Sequence, residues 1–94
     1  MTDMSHRDAA ESLALEALSF LARDPGRIER FLANSGIGPD RLRDAAMEPG
    51  FLAAVLDHLL TDEPLLLMFA EDSGMAPADI PVARRALGSA REPI

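Results

Sequence analysis

The chain has no cysteine and no lysine among its 94 residues. The first absence excludes disulfides, thiolate zinc sites and a cysteine nucleophile together. The second removes the lysine that a phosphate-cradling loop requires and any catalytic amine on a lysine side chain. Long apolar runs are lacking too: the longest, Leu65 to Ala70, holds six residues, against the roughly 20 that span a bilayer. The opening Met1-Thr2-Asp3-Met4-Ser5-His6-Arg7-Asp8 is too polar for the apolar stretch of a secretory signal. The expectation is a soluble cytoplasmic protein that does not engage a membrane.

Basic charge is scarce. Nine arginines face sixteen acids, for a net charge of −7, which argues against nucleic acid as a partner because phosphate binders carry a net basic surface. The imbalance is regional. Between Asp44 and Ala83 stand Asp44, Glu48, Asp57, Asp62, Glu63, Glu71, Asp72 and Asp79, with no arginine among them.

What is present is helical punctuation. Hydrophobic residues make up 48% of the chain, enough for one core and one domain over residues 1–94, with about 5–88 ordered and 1–4 and 89–94 frayed. Polar Asp8, Ser12, Glu16, Ser19 and Arg23 recur every three or four positions opposite Ala10, Leu13, Ala14, Ala17, Leu18 and Leu21. That spacing predicts an amphipathic helix, capped at Ser5 and stopped near Arg23. Asp24-Pro25 starts a second helix, with Ile28, Phe31 and Leu32 buried and Gly36 as terminator. Gly38-Pro39 opens a short third helix to about Ala46, and Glu48-Pro49 repeats the stop-and-start device. In a fourth helix Phe51, Leu52, Val55, Leu56, Leu59 and Leu60 form the buried face, with His58 among the polar residues.

After Asp62-Glu63-Pro64, the run from Leu65 to Ala70 is apolar all the way round a helix, so a central fifth helix buried on every side is predicted. Gly74 closes it. Pro77 opens a sixth through Ile80, Val82, Ala83 and Leu87, stopped by Gly88. The expected fold is all-α, a compact bundle of about six short helices.

A shift of 38 positions lays Asp24 on Asp62, Phe31 on Phe69, Ser35 on Ser73, Gly36 on Gly74 and Pro39 on Pro77. Five identities over nineteen positions compare with about one expected by chance. Two tandem three-helix units packed face to face would explain the matches, and so would stop and start signals that recur in any helical chain.

Candidate chemistry is sparse. His58 and Asp62 lie four apart, beside Asp57 and Glu63, a spacing that suits a weak metal or acid-base site; Asp62 and Glu63 are equally explained as helix-terminal residues. Glu71-Asp72-Ser73-Gly74-Met75 is faintly similar to the attachment site of acyl carrier proteins, but there the modified serine opens a helix, whereas Ser73 should end one. Arg84-Arg85 and Arg41/Arg43 balance local acids. No serine, threonine or histidine constellation resembles a nucleophile with its base, so no catalytic residue and no cofactor is expected.

From Leu13 to Gly88 the chain resembles a family of small uncharacterised bacterial proteins classed as a domain of unknown function. The residues that carry the likeness are Glu16-Ala17-Leu18-Ser19-Phe20-Leu21-Ala22, Ser35-Gly36-Ile37-Gly38-Pro39, Phe51-Leu52-Ala53-Ala54-Val55-Leu56-Asp57 and Asp62-Glu63-Pro64-Leu65-Leu66. The resemblance implies an all-α bacterial cytoplasmic protein and no activity. The functional expectation is a non-enzymatic interaction module, monomer or homodimer, that docks a basic or amphipathic protein partner on Asp57, Asp62, Glu63, Glu71 and Asp72. The alternative is a small-molecule or metal-binding protein that uses the acids near His58.

Overall fold

The first helix, α1 (Thr2–Ala22), is 21 residues long, about 31 Å at 1.5 Å per residue, in a body whose longest dimension is 38 Å. The structure, a computed structural model, describes residues 2–48 and 50–88. All regular elements among them are helical. Thr2-Asp3-Met4 contains no Pro or Gly to interrupt it, and the helix starts ahead of Ser5, where the sequence places the cap. The fraying expected at 89–94 lies outside the described residues, as does Pro49.

Junction chemistry sets the bounds of α2 (Pro25–Ser35) and α5 (Glu63–Ser73). Asp24 caps the first by accepting the Arg27 N–H at 3.1 Å, and Asp62 caps the second by accepting the Leu65 N–H at 3.3 Å. Each has Pro in its first turn, where the missing N–H is not needed. Each ends on a left-handed glycine, Gly36 at φ 75° and Gly74 at φ 71°, a conformation that a Cβ would strain. The next residue closes the turn: Ile37 N–H donates to Leu32 O and Met75 N–H to Ala70 O.

Between them a 3-10 turn (Pro39–Arg41) runs into α3 (Leu42–Ala45), so the predicted third helix is split. It is followed by α4 (Phe51–Leu60). The last helix, α6, is Asp79–Leu87. It starts two residues later than expected, with Pro77 in the preceding turn, and its Val82 faces solvent while Ile80, Ala83 and Leu87 are buried.

The axle of the bundle is α1, not α5. α1 packs against α2, α4, α5 and α6. Its Ala10, Ala14 and Ala17 are buried to within 3%, and side chains this small let the neighbouring helices approach closely. α5 lies at the edge. Leu65, Leu66, Phe69 and Ala70 are buried on one side, whereas Leu67 and Met68 are 45% and 47% exposed. Among the described residues the apolar run Leu65 to Ala70 is thus only half covered, because α5 packs chiefly on α4 and the end of α1.

The 38-residue spacing has a three-dimensional counterpart. Shifted by 38, α2 falls on α5 residue for residue, and 13–22 of α1 falls on α4. The contacts then cross: the end of α1 meets α5, and α4 meets α2. Phe20 lies 5.4 Å from Phe69, and their counterparts His58 and Phe31 lie 5.3 Å apart. Contacts therefore run across the helix pairs as well as within each pair. The third segments differ, four residues of α3 against nine of α6.

Candidate binding site around His58

The α4 ladder carries His58 inward. Phe51, Val55 and Leu59 are buried at i, i+4 and i+8, and His58, seven residues after Phe51, falls in the same stripe. It is 7% exposed, so the polar, outward position read from the sequence is corrected. The spacing from Phe51 and Val55, and the counterpart Phe20, were the signals that pointed inward. The imidazole meets Phe31 edge-on at an interplanar angle of 70°. Its Nε2 is buried and has no hydrogen-bond partner.

Burial holds the His58 pKa below its ordinary value of 6.5, because desolvation penalises the imidazolium; the Asp62 carboxylate opposes this and the Arg30 guanidinium adds to it. The ring is therefore neutral near pH 7. It forms part of the walls of two clefts. One, of about 430 Å³, lies between α2 and α4 and is lined also by Phe31, Asn34, Ser35, Ala54, Asp57 and Thr61. The other, of about 450 Å³, lies between the starts of α2 and α5 and includes Arg27, Arg30, Asp62 and Met68.

The acidic residues separate into different roles. Asp57 accepts a 2.7 Å bond from Arg84 Nε, and Arg84 also donates to Gly88 O at the end of α6. Asp72 accepts a 2.7 Å bond from Arg23. Both arginines come from outside the stretch between Asp44 and Ala83, so folding returns cations to a segment that has none in sequence. Asp62 is engaged as a cap. Glu63 and Glu71 are both exposed on α5. Among the described residues no group of three or more His, Cys, Asp or Glu is arranged to hold a metal ion, so His58 and Asp62 are not joined by a third ligand. Among the same residues no helix is long and apolar enough to cross a membrane.

A family model described as a protein of unknown function, DUF3572, matches residues 7–90. The chain belongs to that family. The matched span takes in the buried stripe of α1, both Asp-Pro and Asp-Glu-Pro junctions and the whole His58 region, leaving out only the first residues of α1. No curated protein matches the chain, and no solved structure does.

Proposed function

We propose that this DUF3572 protein is a cytoplasmic, non-enzymatic interaction module whose outer α5 face docks a basic amphipathic helix of a protein partner. One observation carries the reading. Leu67 and Met68 stand exposed at positions whose counterparts in α2 are Glu29 and Arg30, also exposed. The fold accepts charge at these two places, so the apolar pair on α5 is not required by the bundle. Glu63 and Glu71 bracket Leu67 one turn to either side on the same face. Leu60, 37% exposed at the end of α4, is apolar too. An apolar stripe rimmed by acids fits a helix with apolar anchors and basic flanks. A net charge of −7 argues against a nucleic-acid duplex as the partner.

A photo-cross-linker placed at Leu67 in the intact chain tests it. Capture of a protein through a basic amphipathic segment, weakened by raised salt and lost in Met68→Arg, is the expected result. Capture equal to that from a control cross-linker at Glu29 overturns it. Cross-linking between two copies of the chain, with a dimer mass by light scattering, replaces the docked partner with a homodimer.

A further inference from the structure

The cleft between the starts of α2 and α5 is made from one kind of turn used twice. Its lining residues Asp24, Gly26, Arg27 and Arg30 fall, on the 38-position shift, on Asp62, Pro64, Leu65 and Met68, which line it from the other side. Each wall begins with the aspartate that caps its helix. Beyond the caps the walls differ in chemistry. The α2 wall carries two arginines, whereas the α5 wall carries a proline, a leucine and the half-exposed Met68.

The open charge beside Met68 is positive. Asp24 and Asp62 each give a carboxylate oxygen to a backbone N–H, and Asp72, the acid of α5 one turn beyond Met68, holds Arg23 at 2.7 Å. Arg30 is exposed and makes no side-chain hydrogen bond or ion pair among the described residues. Arg27 is half-buried and held in place: its guanidinium carbon lies 4.0 Å from the Phe20 ring centroid, and Nη1 donates to Phe20 O at 3.2 Å. A guanidinium has further N–H donors to offer, and one already fixed by stacking gives up little rotamer freedom on taking a carboxylate.

Across the exposed face of α5 the sign of charge changes. At about 100° per residue, Glu63 and Glu71 lie within about 40° of Leu67, while Met68 lies about 100° from it, on the side of the arginine wall. One edge of the apolar face is acidic and the other is basic.

We propose that the partner helix on the α5 face carries opposite charges on its two flanks, with basic residues against Glu63 and Glu71 and an acidic residue in the α2/α5 cleft, its carboxylate on Arg30 and Arg27 and an adjoining apolar side chain on Pro64 and Met68. This rests on the α5 docking reading and adds the feature that fixes the direction of the bound helix. Turning the helix end for end would bring like charges together on both flanks.

The test uses the whole chain and two synthetic helices with the same leucine stripe, one with arginines on both flanks and one with arginines on one flank and glutamates on the other. Binding is read by fluorescence anisotropy, and direction by a nitroxide at the N-terminus of the mixed-flank helix, whose broadening of NMR signals marks the nearer end of α5. The label should broaden signals at one end of α5 only. Arg30→Glu should weaken the mixed-flank helix at least about threefold, the effect of one exposed ion pair, and Arg30→Gln should weaken it less. Arg43→Glu, the same charge change on α3, should leave its affinity within the error of the parent. No binding of either helix, or binding that survives Leu67→Arg, overturns the docking reading and this inference with it. Binding that is lost in Leu67→Arg but equal in Arg30→Glu and Arg43→Glu, or equal broadening at both ends of α5, overturns the inference and leaves the docking reading standing.

Discussion

His58 stands to Phe31 as Phe20 stands to Phe69: ring centroids 5.3 Å apart in one pair and 5.4 Å in the other, with the partners drawn from opposite helix pairs. Phenylalanine at position 20 fills its place with carbon alone and accepts a guanidinium on its face, Arg27 lying 4.0 Å from the centroid. Histidine at the matching place leaves a buried nitrogen without a partner. The bundle therefore holds a polar atom at the position that, 38 residues earlier, is filled by an apolar ring.

Replacing that histidine should stabilise the protein. His58→Phe removes an unsatisfied buried nitrogen whose desolvation costs about 1–3 kcal/mol, and the expected gain is about 1–2 kcal/mol in urea unfolding. A variant less stable than the parent would contradict the unpaired state of Nε2.

The same ring makes stability depend on pH. Its folded-state pKa lies below 6.5, through burial first and the Arg30 guanidinium second, with Asp62 acting against both. Below pH 6.5 the unfolded chain takes up a proton that the folded chain resists, so this stabilisation is full above 6.5 and lost as pH falls toward the folded-state value. Comparing urea midpoints across that interval for the parent and His58→Phe isolates the effect. Identical slopes in the two proteins would remove His58 as its source.

Adjacent leucines on α5 should behave in opposite ways. Leu66 is 9% exposed and Leu67 45%. Leu66→Ala is expected to cost about 2–5 kcal/mol and Leu67→Ala less than about 0.5 kcal/mol. Thermal unfolding of both variants checks this, and similar losses would mean that α5 is covered on both sides.

The two caps should be interchangeable in energy. Asp24→Ala and Asp62→Ala each remove one side-chain bond to the N–H three residues on, at about 1 kcal/mol apiece. Measured well above pH 6.5, where Asp62 has no imidazolium to attract, the two losses should agree.

Overpacking the axle should be costly. Ala14 is fully buried in α1, and Ala14→Leu forces its neighbours apart for about 1–3 kcal/mol. A Leu tolerated there without loss in urea unfolding would show that α1 is not the tightly packed centre.

The places where the chain turns were legible from residue types, because a cap or a left-handed glycine acts within a few residues of itself. Asp24, Gly36, Asp62 and Gly74 gave the bounds of α2 and α5 on local grounds alone. Which side of each helix meets another was less legible. The run Leu65 to Ala70 reads as apolar all round, but hydrophobicity does not say how many neighbours a helix has, and Leu67 and Met68 stayed outside. Alanines at 10, 14 and 17 read as a modest stripe, yet their small size is what places α1 at the centre. His58 was read by its polarity when its position in the Phe51, Val55, Leu59 stripe decided its burial. The acidic stretch read as an unbroken patch because Arg23 and Arg84 are distant in sequence from the carboxylates they reach.

The N-terminal half of α1 leans on α6, where Ala9, Ala10 and Leu13 face Val82, Ala83 and Ala86 across one groove. The first helix is therefore roofed by the last. During synthesis the alanine edge of α1 stays wet until α6 has emerged, while α2 and α4 can already settle on the other end. Joining such distant segments closes the longest loop in the chain, a slow event relative to local helix formation. The α1–α6 contact is therefore the pairing expected to close last, an order that pulsed hydrogen exchange during refolding would read directly.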